Sequence, residues 1–194
     1  MRGTLRESAA LPTWRALLLA GGRSTRMGRD KALLDWRGQP LLTALRDRLQ
    51  RYGAASVRVS GDYPAFGGIP DDAPGLGPLA GIDAGLRGAE DGVWLIVPVD
   101  MPALGAAQIE TLLGTRPEST AACFTDHALP LRLRLDFSAR QVLARLMHPS
   151  TPGQQRSCRA LHAALDGTTI DAAPDLAVGL RSFNTPVEWA EGWP

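Results

Sequence analysis

The 194-residue chain sets 21 Lys and Arg against 20 Asp and Glu, a net charge of +1, so it has no long-range positive field to hold a nucleic-acid backbone. At 44% hydrophobic and 21% charged it has the composition of a globular protein with one ordinary core, and no run approaches the roughly 20 apolar residues that span a bilayer. Its two cysteines, Cys123 and Cys158, lie 35 positions apart without paired spacing, which argues against a disulfide framework or a zinc site and suits a reducing cytoplasm.

Residues 1–13 carry Arg2, Arg6 and Glu7 ahead of a very short apolar run and read as a flexible tail, not a signal peptide; residues 14–194 read as one domain. Residues 16–20 and 93–99 are continuously apolar, which predicts central parallel strands buried on both faces. Over 41–52, Leu41, Leu42, Leu45 and Leu49 fall at helical spacing with Arg46, Asp47, Arg48 and Arg51 opposite, and Gly53 closes the helix. A short strand follows at 57–60, and Pro78 after Gly77 starts a helix running to 86. Beyond Asp100 the pattern predicts a helix at 106–113 closed by Gly114, strands at 121–124 and 129–135, and helices at 138–147 and 156–165. A turn-rich connector at 149–153 separates those two helices, and a last strand lies at 168–171. Alternating elements with buried strands imply a doubly wound, mostly parallel three-layer α/β/α sandwich, whose ligands bind outside the carboxyl ends of the strands.

The run from Leu19 to Lys31 joins a buried strand to Ala20, the pair Gly21-Gly22, and the cations Arg26 and Lys31. Glycine lets backbone N–H groups turn toward an anion, and the cations add charge where phosphates would lie. It contains neither the Walker Gly-Lys-Ser/Thr nor Gly-x-Gly-x-x-Gly, and a plain glycine-rich turn with surface arginines is the alternative. Gly75-x-Gly77-x-x-Ala80 meets the loose dinucleotide pattern, but Pro70 and Pro74 precede it in place of an apolar strand. Asp71 or Asp72 just before it can cap a turn. In Pro98-Val99-Asp100-Met101-Pro102 a carboxylate stands just past a buried strand, suited to hold Mg²⁺ beside substrate phosphates or, alternatively, to cap a helix. Near the end, Phe183-Asn184-Thr185-Pro186 reads as the start of a last helix capped by Thr185. His127, His148 and His162 have no metal-ligand spacing, and the five tryptophans read as packing. Arg132 and Arg134 read as solvated charges on an alternating strand, with contact to an acceptor phosphate as the other reading.

Taken together, Leu-Ala-Gly-Gly, three variable residues, Arg-Met-Gly and Asp-Lys resemble the signature of nucleotidyltransferases that activate sugars and cofactors, most closely the molybdenum cofactor guanylyltransferases. Gly77-Pro78-Leu79-Ala80-Gly81 behind an acidic residue, Pro-x-Asp-x-Pro and Asn-Thr-Pro follow in that family's order. The resemblance implies a nucleotide-diphospho-sugar transferase-like fold and transfer of GMP from GTP to the terminal phosphate of molybdopterin, free or molybdenum-bound, with release of pyrophosphate. It implies catalytic roles for Lys31, Arg26 and Asp100, with Mg²⁺ on Asp100 as cofactor, and GTP contacts from Leu19, Ala20, Gly21, Gly22, Lys31, Ser60, Asp71 and Asp100. Asp71 matches the acidic position better than Asp72. Ser182 and Asn184 would lie on the pterin side. Ser60 and Ser182 stand where the family often has asparagine. A cytoplasmic enzyme is implied that passes its product to apo-molybdoenzymes through delivery or insertion proteins, with no nucleic-acid or membrane partner. The Gly21-Gly22 pair favours GTP, since cytidylyl relatives tend to have alanine first. Alternatives are a CTP- or phosphosugar-using nucleotidyltransferase and a non-catalytic nucleotide or cofactor carrier.

Overall fold

A computed structural model describes residues 11–21, 30–72 and 75–191. Its strands are β1 (Trp14–Leu19), β2 (Asp35–Trp36), β3 (Gln39–Pro40), β4 (Val57–Ser60), β5 (Gly68–Ile69), β6 (Gly92–Pro98), β7 (Ala121–Phe124), β8 (Leu131–Leu135) and β9 (Thr168–Ile170). The helices are α1 (Leu41–Arg51), α2 (Pro78–Leu86), α3 (Ala106–Gly114), α4 (Phe137–Met147), α5 (Cys158–Ala164), α6 (Pro174–Ala177) and α7 (Pro186–Glu191).

Seven strands form one sheet in the order β5-β4-β1-β6-β8-β7-β9, while β2 and β3 make a separate hairpin. Neighbours pair in parallel except at β8, which runs antiparallel to both β6 and β7. Strand alternation divides the core into two layers. Ala16 and Leu18 of β1 pack with Leu42, Leu45 and Leu49 of α1 and with Ile109 and Leu112 of α3. On the other face Leu17 and Leu19 meet Leu79 and Ile82 of α2, and Leu143 of α4 and Leu161 of α5 extend that layer. Such a strand is apolar at every position that both layers cover, here Ala16 to Leu19, and burial of each leucine contributes about 1.5–3 kcal/mol. Gly85 lets α2 lie close to β1, since a Cβ there would stand 2.5 Å from Leu17 Cδ1.

Side-chain caps set the starts of α4 and α5. Asp136 Oδ1 accepts from the Ala139 N–H (2.8 Å) and begins α4 one residue before the sequence expectation; Ser157 Oγ accepts from the Ala160 N–H (3.1 Å) and begins α5 two residues after it. Strand β8 begins at Leu131, two residues after the expected start, because Pro130 has no N–H to give a ladder. The hairpin turns through Arg37 and Gly38 at φ 55° and 87°, and neither it nor the two-residue β5 is prominent in the sequence pattern.

The register that matters for the site is at the carboxyl edge. Leu19 lies opposite Ser60 on one side and Pro98 on the other, so the glycine loop after β1 and the loop carrying Asp100 start side by side. Strand order reverses about β1 and β6, which is where an open α/β sheet forms its ligand crevice.

Candidate active site

A cleft of about 210 Å³ opens at that edge, lined by Leu19, Ala20 and Gly21 from β1 and its loop and by Lys31, Ser60, Asp71 and Asp100. Gly77, Pro78 and Gly81 supply a further wall. Arg26 and Gly22 lie outside the described residues, as does most of the glycine loop.

Backbone bonds fix the loop's first residues. The N–H groups of Ala20 and Gly21 both donate to the Ser60 carbonyl, at 2.9 and 3.0 Å, and Val99 N–H donates to Leu19 carbonyl at 3.0 Å. Across the gap, Asp30 caps the single turn Lys31–Leu33 by accepting from the Ala32 N–H at 3.0 Å. Lys31 thus leaves a capped turn with its ammonium pointing to the cleft. Nζ donates to Asn184 Oδ1 at 2.7 Å and lies 3.8 Å from Asp100 Oδ2. An ammonium has three donors, so hydrogen-bonding capacity remains for an anionic ligand.

The closing segment is tied to the same place. Phe183 N–H donates to the Asp100 carbonyl at 2.8 Å. Glu188 then accepts from the N–H groups of Asn184 and Thr185, at 2.6 and 2.7 Å, while Thr185 Oγ1 receives the Glu188 N–H at 3.3 Å. This reciprocal capping box starts α7 and aims Asn184 at Lys31. Those N–H groups hold the Glu188 carboxyl below its ordinary range. Asn184, expected on the pterin side, therefore meets the lysine 153 positions earlier, and Ser182 is not among the cleft-lining residues described.

Burial raises the pKa of Asp100, against the opposing pull of Lys31. Asp71 is raised as well, chiefly by burial, with Ser60 Oγ donating weakly to its Oδ1 at 3.4 Å. Ser60 itself is almost wholly buried, so its hydroxyl serves Asp71 and its carbonyl serves the loop. Asp71 faces the cleft, whereas Asp72 pairs with Arg87 at the surface. Among the described residues no cluster of three metal-ligating side chains exists. The donor set nonetheless fits Mg²⁺, which takes one or two carboxylates and fills its shell with substrate phosphates and water, and Asp100 is the carboxylate that could hold it.

Arg132 is neither a solvated charge nor a cleft residue. It is buried, its pKa lowered by that burial, and its guanidinium donates to the carbonyls of Thr115, Arg116 and Ser119 at 2.9, 2.8 and 3.2 Å. Gly77, Pro78 and Gly81 were legible only as a motif, and their place in the wall follows from α2 starting there.

Comparison with known proteins agrees with this architecture. The family model of the MobA-like NTP transferase domain matches residues 16–169. A molybdenum cofactor guanylyltransferase of Xanthomonas euvesicatoria pv. vesicatoria is 42% identical over 178 residues, covering 91% of this chain and 93% of its own. One from Pseudomonas entomophila is 31% identical, over 92% of this chain and 97% of its own. Among solved structures, the molybdopterin-guanine dinucleotide biosynthesis protein A of Archaeoglobus fulgidus superposes with a TM-score of 0.70 at 19% identity, covering 91% and 95% of the two chains. No helix among the described residues is long and apolar enough to cross a membrane. The family-model match over most of the chain and the relatives aligned along nearly its whole length show that the chain is a nucleotidyltransferase and belongs to the MobA-like NTP transferase family.

Proposed function

We propose that this chain transfers GMP from GTP to the terminal phosphate of molybdopterin, free or carrying molybdenum, and releases pyrophosphate. The observation that supports this reading best is the meeting of Lys31, Asp100 and Asn184 at one edge of the cleft, from three distant parts of the chain. A carrier needs no such pairing of a cation with a metal-holding carboxylate.

In this reading an acceptor phosphate oxygen supplies the electron pair that attacks the α-phosphorus, and the bond to the β-phosphate oxygen breaks in line. Little covalent chemistry falls to side chains, so charge and position must supply the rate. Lys31, fixed by Asn184, offers its free N–H donors to the phosphates and neutralises the charge that grows on pyrophosphate. Backbone groups of Ala20 and Gly21, held by Ser60, flank the nucleotide, and Arg26 is assigned by its place in the signature. Asp71, oriented by Ser60, takes the guanosine end. Asp100 would hold Mg²⁺, which when bound supplies further charge neutralisation at the phosphate oxygens. Ser182 is assigned to the pterin side on the resemblance, and Asn184, through Lys31, links that side to the phosphates. Release of the product to insertion proteins and apo-molybdoenzymes, in the cytoplasm, completes the reading.

The test is pyrophosphate release from GTP, CTP and ATP with Mg²⁺ and freshly prepared molybdopterin, for the wild type and Asp100→Asn. Turnover with GTP that is lost in the variant supports the assignment. Preference for CTP would replace it with the cytidylyl reaction, and GTP binding without turnover would replace it with the carrier.

A further inference from the structure

Tyr63 is absent from every motif in the sequence, yet its side chain reaches both sides of the glycine loop. Its hydroxyl lies 2.8 Å from both Asp30 carboxylate oxygens and 3.1 Å from the Ala20 carbonyl oxygen. Ala20 is the last residue before Gly21, and Asp30 is the cap of the turn that starts with Lys31. One phenol thus bridges the two ends of a segment whose middle carries the signature.

The position of that hydroxyl is fixed from below. Tyr63 N–H donates to the Gly61 carbonyl and its own carbonyl accepts from Gly68 and Phe66, each at 2.9 Å. The ring lies so close to Gly61 that a Cβ there would stand 2.8 Å from Tyr63 Cε2, and a Cβ on Gly68 would stand 2.8 Å from Tyr63 N. Burial, with Asp30 beside it, pushes the phenol pKa well up, so the hydroxyl keeps its proton at any assay pH near neutrality. The hydroxyl's partners are all acceptors and the phenol has one proton, so that proton is shared between the Asp30 carboxylate and the Ala20 carbonyl; without it the two acceptors would face each other with nothing between them.

We propose that Tyr63 is a positioning residue whose hydroxyl holds Ala20 and Asp30 together, setting Lys31 at the cleft before the nucleotide arrives. The proposal rests on the nucleotidyltransferase reading of the same cleft. Without the tie the free protein relaxes away from the arrangement that binds, and the nucleotide must restore it at the expense of affinity; once the phosphates are bound, the two ends are in place and the chemical step proceeds as before. Removing the hydroxyl therefore weakens nucleotide binding and leaves the chemical step alone.

The experiment measures Kd for GTP, CTP and ATP with Mg²⁺ by calorimetry, and kcat and KM by pyrophosphate release, in wild type, Tyr63→Phe, Asp30→Ala and the double variant. Tyr63→Phe keeps the ring and its packing. It is expected to raise Kd and KM for the preferred nucleotide about tenfold, as for loss of a hydrogen bond to a charged group, with kcat within about twofold and Tm unchanged. In the Asp30→Ala background the same substitution is expected to add nothing, because the tie is already cut. A Tyr63→Phe protein that binds as tightly as wild type, or an equal loss in both backgrounds, overturns the proposal. Which nucleotide the wild type prefers decides the guanylyl reading separately; a wild type that binds none of the three overturns both.

Discussion

The sequence treats two of the cavities on the described surface in opposite ways. The cleft beside β1, β4 and β6 is walled by glycine and backbone at Gly21, Gly77 and Gly81, and its polar side chains Lys31, Asp71 and Asp100 face inward. The smaller cavity beside β7 and β9, about 170 Å³, is lined by Cys123, His127, Arg159 and His162, and two of these are engaged by the protein's own carbonyls. Arg159 donates to the Asp126 carbonyl and His162 Nε2 lies 3.1 Å from that of Thr168. Arg132, under the neighbouring strand pair, repeats the pattern with three carbonyls. Charge is therefore available for a ligand in the cleft, where Lys31, Asp71 and Asp100 are partly buried with bonding capacity to spare, whereas around β7, β8 and β9 the cations Arg132 and Arg159 serve as struts. Mutations should divide accordingly into those that cost function and those that cost stability.

Lys31→Ala should show the largest effect, a loss of about 10²–10³ in kcat, the scale for removing one preorganised electrostatic group. Its thermal midpoint should change little, because Lys31 bonds to a side chain on the cleft rim and supports no core layer. Steady-state pyrophosphate release beside a thermal melt checks both halves of the statement, and a Lys31→Ala enzyme with full turnover would break the comparison at its strongest point. Arg132→Met is the mirror case. Leaving three carbonyls without their donor should cost about 1–3 kcal/mol of stability, read as a lower urea midpoint, while kcat/KM for GTP stays within about twofold. Lost turnover in a folded Arg132→Met protein would make that arginine a ligand residue after all.

Much of this division is legible in the sequence where local chemistry decides it. The unbroken apolar runs of β1 and β6 mark strands covered on both faces, and Asp136 and Ser157 mark helix starts once capping is considered. The reversed direction of β8 has a local cause too, since the link from Phe124 to Leu131 is too short for the crossover that a parallel neighbour needs. What stays hidden is contact at a distance. Nothing in Asn-Thr-Pro says that Asn184 will reach Lys31, or in Gly-Asp-Tyr that Tyr63 will reach Ala20 and Asp30, because those contacts exist only after the sheet has brought the loops to one edge.

A glycine pair one turn apart on α2 sharpens the comparison. A Cβ at Gly81 would stand 2.7 Å from Ser60 Oγ and 3.5 Å from Asp71 Oδ1, whereas one at Gly85 would stand 2.5 Å from Leu17 Cδ1 in the core. Both alanine variants should lose about 1–3 kcal/mol of stability through overpacking. Only Gly81→Ala should also raise KM for GTP, since Ser60 must turn away and release Asp71. Equal KM values for the two would show that Ser60 does not orient the aspartate.

The smallest expected effect is a gain in stability. Asp71 has a folded-state pKa raised mainly by burial, so the folded protein binds its proton more tightly than the unfolded chain does. For a carboxyl shifted in that direction the sign is inverted relative to a salt-bridged one: the ionised group costs stability at every pH above its folded pKa, and the cost disappears below the unfolded value near 3.8. Asp71→Asn removes the charge while keeping the shape and an acceptor for the Ser60 hydroxyl. Its thermal midpoint should therefore exceed the wild type's at pH 7, and the gap should close as the pH falls below that value. GTP binding should weaken in the same protein, because the carboxylate that burdens the fold is the one assigned to the guanosine. If Asp71→Asn is destabilised at pH 7, its charge supports the fold, and the cleft half uses its acids as struts just as the other half uses its cations.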